Sequence, residues 1–67
     1  MTVGERITYY RTLRGISQKQ LAEKSGLTRQ TIINYEKEKR EPTLINAMCV
    51  ADCLHISLDM LARGERK

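Results

Sequence analysis

The chain has 67 residues and contains few of the residue types that build large cores, long loops or disulfide scaffolds. It contains no Phe or Trp, three Tyr, one Pro, four Gly and two Cys. So little Pro and Gly argues against a disordered chain, and no apolar run approaches the roughly 20 residues that a membrane span needs. A domain of this size buries only about 60% of its unfolded surface. We therefore expect one domain over residues 1–67, with a small core of Leu, Ile, Ala and Met.

Catalytic patterns are also missing. There is one His, and the sequence has no Ser-His-Asp arrangement, no glycine-rich phosphate loop and no evident pair of carboxylates. Nothing at the N-terminus resembles a signal peptide. We therefore expect a soluble cytoplasmic protein that is not an enzyme and needs no cofactor, metal, small-molecule ligand or membrane.

The two cysteines and the histidine lie close together, as Cys49, Cys53 and His55. Three ligands without a fourth candidate, in an apolar helix, do not make a zinc site. A disulfide between cysteines four apart in a helix is poorly aligned. We interpret both cysteines as small core or interface residues, and the sequence does not decide whether they have a redox role.

The net charge of +4 is unevenly distributed. Residues 1–41 carry nine Lys or Arg against five acidic residues, whereas residues 42–62 carry two acidic residues and no Lys or Arg. Such a division is typical of a protein with one surface that faces phosphate and another that faces protein. A basic domain that is merely well solvated has a similar composition, so charge alone leaves both interpretations open.

Helical periodicity dominates, and no alternating strand pattern of useful length appears. We predict an all-α fold of five helices over about residues 3–13, 18–24, 29–37, 43–54 and 58–62. The predicted core stripes are Val3, Ile7, Tyr10 and Leu13 on the first helix, and Leu44, Ala47, Met48, Ala51 and Leu54 on the fourth. The fourth helix is also apolar around the rest of its surface, so it is either central in the domain or partly covered by a partner.

Two short helices joined by a glycine turn are predicted between Ser17 and Glu36. Ser17 and Gln20 form a capping box pattern at the start of the first of them. Gly26 follows where the chain must turn sharply, and Thr28 caps the second. In the helix that Thr28 caps, which is the third of the five, Ile32 and Tyr35 are the apolar residues that we expect to face the core. Its other side chains, Arg29, Gln30, Thr31 and Asn34, suit base edges and phosphates, which predicts a helix that reads DNA.

The chain resembles the DNA-binding domain of helix-turn-helix regulators of the Cro and phage-repressor type, over about residues 4–64. The motif elements are G-E-R-I at 4–7, Arg11, R-G-I-S-Q at 14–18, L-A-E-K-S-G-L-T at 21–28, Thr31-Ile32, Tyr35-Glu36, R-E-P-T-L at 40–44 and I-S-L-D-M-L at 56–61. The resemblance implies a compact five-helix, lambda-repressor-like domain with its helix-turn-helix at about residues 17–37. Residues 65–67 form a polar tail.

The resemblance also implies roles for individual residues. The third helix would enter the major groove, with base contacts from Arg29, Gln30, Ile33 and Asn34. Arg suits guanine, Gln suits adenine in a bidentate pair, and Ile33 suits a thymine methyl. Phosphate contacts would come from Gln18, Thr28, Thr31, Lys39 and Arg40.

The same resemblance leads to two further expectations. Arg11 and Glu36 match positions that form a partly buried ion pair in some relatives, although two unrelated surface charges would look the same. Many relatives have Asn-Gly after the recognition helix, where this chain has Lys37-Glu38. Since a left-handed cap without glycine costs about 1 kcal/mol, we expect the helix to run slightly longer or to end differently.

The leading hypothesis is a sequence-specific transcription regulator, specifically a repressor, that binds a palindromic double-stranded DNA operator as a homodimer. Ile56, Leu58 and Met60 are the candidate dimer residues. The fit of the family pattern, with Met1 just ahead of the first helix, favours a complete small protein. The resemblance implies a cytoplasmic protein of bacterial or phage type, associated with the nucleoid. The alternative is a protein-interaction module, such as an antitoxin or an antagonist of another regulator. The operator, the regulated genes and the inducing signal cannot be derived from the sequence.

Overall fold

A computed structural model describes residues 1–64, in which five α-helices and no strands occur. In chain order they are α1 (Val3–Leu13), α2 (Gln18–Ser25), α3 (Arg29–Glu36), α4 (Leu44–Cys53) and α5 (Leu58–Arg63). The all-α prediction is confirmed, and every predicted helix boundary lies within one residue of the observed one. The predicted polar tail, residues 65–67, lies outside the described residues.

A Ser or Thr side chain begins each helix. Five residues each accept a hydrogen bond from the backbone N–H three positions later: Thr2, Ser17, Thr28, Thr43 and Ser57. Each such cap stabilises a helix by about 1 kcal/mol. Since these caps act within one turn of the chain, local sequence alone sets where each helix starts, and this explains why the predicted starts are so close to the observed ones.

All five helices contribute to one apolar core. Its nine buried residues are Ile7, Leu21, Ala22, Ile32, Tyr35, Val50, Ala51, Leu54 and Leu61. Burying a Leu, Ile or Val side chain contributes about 1.5–3 kcal/mol, so these contacts dominate the stability of the domain. Helix α3 packs against both α1 and α2, and this fixes which of its faces points outward.

The predicted core stripe of α4 is wrong at Leu44 and Met48, whose exposed fractions are 66% and 48%. The buried residues of this helix are Val50 and Ala51, with Ala47 half-buried and Leu54 buried just past its end. At about 100° per residue, Met48 lies more than a quarter-turn away from the centre of these four positions. Leu44 is the first residue of the helix and lines an open groove.

The predicted stripe of α1 is likewise wrong at Leu13, which is 59% exposed. Ile7 is fully buried, and Tyr10 packs against the core from a half-buried position. Each three-residue step falls about 60° short of a full turn, so two steps from Ile7 carry Leu13 off the buried face.

None of the helices in residues 1–64 has the length and apolar character that crossing a membrane requires.

Candidate nucleic-acid interface

The turn between α2 and α3 has the predicted geometry. Gly26 ends α2 in the left-handed conformation, with φ of +74°, which a residue with a side chain adopts only at a cost. The backbone N–H of Leu27 then donates to the carbonyl of Ala22 at 2.9 Å. Ala22 and Ile32 are both buried at the contact between the two helices, so the turn and the packing together fix α3 on the surface of the domain.

Helix α3 has one buried side and one outward side. Ile32 and Tyr35 are buried, and the phenolic oxygen of Tyr35 accepts a hydrogen bond from the Asn46 side chain at 2.8 Å. The opposite side of the helix brings together the four predicted base-contacting residues, of which Arg29 and Gln30 are exposed and Ile33 and Asn34 half-buried. This outward face of α3, called the reading face below, consists of Arg29, Gln30, Ile33 and Asn34.

Two side chains of the reading face are bonded to each other. The Nε2 of Gln30 donates to the Oδ1 of Asn34 at 3.0 Å. Because these residues are four positions apart, they are neighbours on the helix surface. The two side-chain amides therefore form one bonded unit on the helix surface, and the hydrogen-bonding atoms that this bond does not use belong to that unit.

The first residues of α2 border an open, cationic cleft of about 320 Å³. It is lined by Arg11, Ser17, Gln18, Lys19 and Arg29. The predicted phosphate residue Gln18 thus lies at a helix N-terminus, where an anion is favoured, beside Lys19, Arg29 and the ion-paired Arg11. Lys19 was not predicted to contact phosphate, although its position next to Gln18 at the start of a helix was a usable signal.

The predicted ion pair between Arg11 and Glu36 is present. The guanidinium donates from Nε to Oε2 at 2.8 Å and from Nη2 to Oε1 at 3.3 Å, and the two side chains are 17% and 7% exposed. Arg11 also donates to the carbonyl of Ile16 at 2.9 Å, and Gln18 donates through Nε2 to Oε1 of Glu36 at 3.1 Å. These bonds join α1, the start of α2 and the end of α3.

The two predicted phosphate-contacting threonines lie together at the start of α3. The hydroxyl of Thr28 accepts from the backbone N–H of Thr31 at 3.1 Å, and the two hydroxyl oxygens are 2.8 Å apart. Thr28 therefore caps the helix, as its sequence position predicts. Its side chain is exposed, whereas Thr31 is half-buried.

The structure shows how α3 ends without the glycine of many relatives, where the sequence had left open a slightly longer helix or a different ending. The helix ends at Glu36, and Glu38 adopts the left-handed conformation with φ of +61°. The backbone N–H groups of Lys39 and Arg40 then donate to the carbonyl of Asn34. The sharp turn is thus made without glycine, and it leaves the predicted phosphate residues Lys39 and Arg40 exposed beside the end of α3.

The three candidate dimer residues face different surroundings. Ile56 packs against the core. Leu58 lines an apolar groove of about 260 Å³ with Val3, Pro42 and Leu44. Met60 lines a second cleft, of about 610 Å³, with Tyr9, Tyr10 and Leu13 among its neighbours. Because Leu58 and Met60 are roughly 200° apart around α5, they belong to two separate surfaces.

The cysteines are reduced and half-buried on α4. Burial raises the pKa of the Cys53 thiol above its ordinary value, and the nearby Cys49 and Asp52 raise this pKa further. A thiol with a raised pKa is a weak nucleophile at neutral pH. Cys53 also packs against the core, in agreement with the interpretation of this residue as a small apolar side chain.

Comparison with known proteins gives matches over most of the chain. A sequence profile of the helix-turn-helix family matches residues 7–61. An uncharacterized HTH-type transcriptional regulator of Methanocaldococcus jannaschii is 39% identical over 54 residues, which are 81% of this chain and 82% of that protein. The immunity repressor protein of Bacillus phage phi105 is 37% identical over 65 residues, which are 97% of this chain and 45% of the phage protein.

A solved structure extends the similarity to three dimensions. The P22 c2 repressor protein, in complex with a synthetic operator, matches with a TM-score of 0.92 and 29% identity, over 97% of this chain and 98% of that chain. The order of five helices, the glycine turn between α2 and α3 and the outward polar face of α3 all occur within this aligned region. The chain therefore belongs to the helix-turn-helix family of transcriptional regulators, of the Cro and phage-repressor type.

Proposed function

We propose that this chain represses transcription by binding a palindromic DNA operator as a homodimer, with α3 in the major groove. The observation that carries the proposal is the reading face, which lies beside a cationic cleft at the start of α2. A helix of this type enters the groove with its N-terminal residues toward the bases. The immunity repressor of phage phi105 and the operator-bound P22 c2 repressor support the same function.

The residues of the reading face recognise the DNA bases. Arg29 is suited to the O6 and N7 acceptors of guanine, and Gln30 to a bidentate pair with adenine. Ile33 is half-buried, and its outward methyl groups suit the methyl of thymine. Asn34 supplies its two N–H donors, while its Oδ1 accepts one hydrogen bond from Gln30.

Phosphates are bound on either side of the reading face. Gln18 and Lys19 lie at the cationic cleft, Thr28 and Thr31 at the start of α3, and Lys39 and Arg40 in the loop after it. Contacts of this kind fix the position of the protein on the duplex without reading its sequence. The Glu36 carboxylate stays neutralised by Arg11, so it does not repel the nearby phosphates.

A dimer supplies the specificity that one helix cannot. Each reading face spans a few base pairs, and two such faces about 34 Å apart match half-sites one turn of B-DNA apart. The dimer surface lies on α4 and α5, whose only basic residue is Arg63, paired with Asp59. Ile56, Leu58 and Met60 are its candidates on α5, and Leu44, Ile45 and Met48 add exposed apolar area on α4. The protein works in the cytoplasm, on the nucleoid.

Selection of bound duplexes from a random DNA pool, at near-physiological salt, tests the function. We expect enrichment of a palindrome with half-sites about one helical turn apart. Binding without an enriched sequence, at no more than roughly micromolar strength, contradicts the proposal. It would shift the assignment to a module that binds another protein.

Sedimentation at several protein concentrations tests the dimer. Leu44→Gln changes the groove that Leu58 lines, and Met60→Gln changes the cleft on the other side of α5. We expect at least one of the two variants to weaken self-association, because a polar side chain in an apolar interface loses burial. A wild-type chain that stays monomeric at all concentrations, with and without operator DNA, contradicts the homodimer.

A further inference from the structure

The amides of Gln30 and Asn34 form a hydrogen-bonded pair on the reading face before any DNA is present. The Nε2 of Gln30 is the donor and the Oδ1 of Asn34 is the acceptor, at 3.0 Å. Gln30 is exposed and Asn34 is half-buried, so the side chain of Asn34 has less room to move than that of Gln30. The backbone carbonyl of Asn34 also accepts from Lys39 and Arg40, which holds the backbone from which this side chain extends.

A free glutamine amide has nearly the same shape with its oxygen and nitrogen exchanged. It can therefore turn over and present a donor where it had presented an acceptor. The bond to Asn34 restricts this freedom, because a turned Gln30 amide would place its oxygen against the Oδ1 of Asn34 unless the Asn34 amide turned as well. One N–H of Gln30 is used in the pair, which leaves its second N–H and its Oε1 available.

These remaining atoms match one base. Adenine presents an acceptor at N7 and a donor at N6 in the major groove, and the free N–H and Oε1 of Gln30 are one donor and one acceptor. Guanine presents two acceptors, cytosine one donor, and thymine one acceptor beside its methyl group, so none of these three bases pairs with both atoms. An amide fixed in this orientation also needs less ordering on binding than a free one.

We propose that Asn34 is a positioning residue that presets Gln30 to read adenine, in addition to any DNA contact of its own. This inference rests on the proposed function, since it concerns how that function gains its specificity. The groups that act are the Oδ1 of Asn34, which orients the amide, and the Oε1 and second N–H of Gln30, which read the base. Gln30 and Asn34 thus contribute to specificity as a unit.

Three variants separate positioning from direct contact. Gln30→Ala identifies the base pair that Gln30 reads, because preference is lost there. Asn34→Asp keeps an oxygen that accepts from Gln30 but loses the two N–H donors of Asn34. Asn34→Ala loses both. The quantity to measure is the ratio of affinities for operators that differ only at the Gln30 base pair, so a general loss of affinity from the added carboxylate cancels.

We expect the wild-type chain to prefer adenine at that base pair by about tenfold or more, the usual discrimination of a bidentate contact. Asn34→Asp keeps this preference, and Asn34→Ala lowers it below about threefold while the melting temperature stays close to wild type. Were Asn34→Ala to keep the full preference, or were the pair read by Gln30 not to contain adenine, the inference would be overturned.

The free protein offers a second test that needs no DNA. Nitrogen-15 relaxation of the Gln30 side-chain amide should show restricted motion in the wild type and in Asn34→Asp, and free motion in Asn34→Ala. Equal mobility in all three contradicts the positioning role. If the wild-type chain selects no DNA sequence at all, the proposed function itself fails, whereas a selected operator with unchanged preference in Asn34→Ala rejects only the positioning role.

Discussion

The side-chain amide of Gln18 donates to the same oxygen of Glu36, Oε1, that accepts from Arg11. The first residue of α2 is thereby joined to the last residue of α3 across 3.1 Å. Gln18 borders the cationic cleft and Glu36 follows the reading face. The bond therefore couples the position of a proposed phosphate contact to the helix that we propose reads the bases.

Arg11→Met should destabilise the domain by about 3 kcal/mol, because it leaves a largely buried carboxylate without its cation. Chemical denaturation measures the change. Arg63→Met is the matched control, since the Arg63–Asp59 pair is more than half exposed on both sides and such pairs contribute about 0–1 kcal/mol. Equal effects of the two substitutions would show that burial of the Arg11–Glu36 pair is energetically unimportant.

Gly4→Ala should lower stability by about 1–2 kcal/mol although it improves helix propensity. Gly4 is buried where α1 meets the end of α3, and an added Cβ would collide with the backbone carbonyl of Tyr35. Thermal unfolding should show a melting temperature lower by roughly 5–10 °C. Thr12→Ala, at an exposed position of the same helix, is the control, and a stability of Gly4→Ala at or above wild type would contradict the close contact.

Replacing either left-handed residue with glycine should stabilise the protein. Glu38 and His55 have φ of +61° and +59°, and a left-handed residue with a side chain costs about 1–2 kcal/mol. The greater freedom of glycine in the unfolded chain offsets part of this, so we expect a gain of about 0.5–1 kcal/mol for Glu38→Gly and for His55→Gly.

The neighbouring Lys37 provides the control for this prediction. Its φ is −87°, so Lys37→Gly relieves no strain and should destabilise the domain by about 0.5–1 kcal/mol. Denaturation midpoints of the three variants give the comparison. The explanation fails if Lys37→Gly and Glu38→Gly change stability in the same direction.

Lys19→Ala should weaken DNA binding without changing base preference. Its charge lies at the cleft beside Gln18, and loss of one phosphate contact lowers the slope of log affinity against log salt by about 0.9. Binding titrations at several salt concentrations give this slope for operator and random duplex alike. Lys24→Ala, at the other end of α2, should have a smaller effect; a larger one would move the phosphate contact away from the cleft.

Cys53 should react slowly with alkylating reagents at neutral pH. Burial raises the pKa of its thiol, so less of the reactive thiolate is present than in a free cysteine. In Cys49→Ser, which leaves one thiol, we expect the labelling rate to be below that of free cysteine at pH 7 and to keep rising with pH beyond the ordinary thiol pKa. Mass spectrometry follows the labelling, and a rate above that of free cysteine would contradict the effect of burial.

Much of the fold was predictable because its information is local. Ser17 and Thr28 were identified as caps from their place before apolar patterns, and the structure confirms both of them. Gly26 was identified as the turn residue in the same way. The apolar stripes were less reliable, as Leu13, Leu44 and Met48 show. Periodicity reports which residues share a face, but not how much of that face a neighbouring helix covers.

The candidate site was predictable to a similar degree. Spacing and resemblance gave the four residues of the reading face and the Arg11–Glu36 pair, and the structure brings the four together and forms the pair. Lys19 was missed because its importance depends on Arg11 and Arg29 lying beside it. These residues are distant in the chain and meet only in the folded domain.

The helices, their caps, the glycine turn and the polar character of α3 follow from local sequence, since each depends on residues within about one or two turns. Three features became visible only in the folded domain: which apolar residues stay exposed on α4, why Gly4 needs to lack a side chain, and that Glu36 binds both Arg11 and Gln18. The tertiary structure also placed Leu58 and Met60 on separate surfaces. The physical reason is that burial, close contact and ion pairing depend on distances between helices, which no local pattern in the chain specifies.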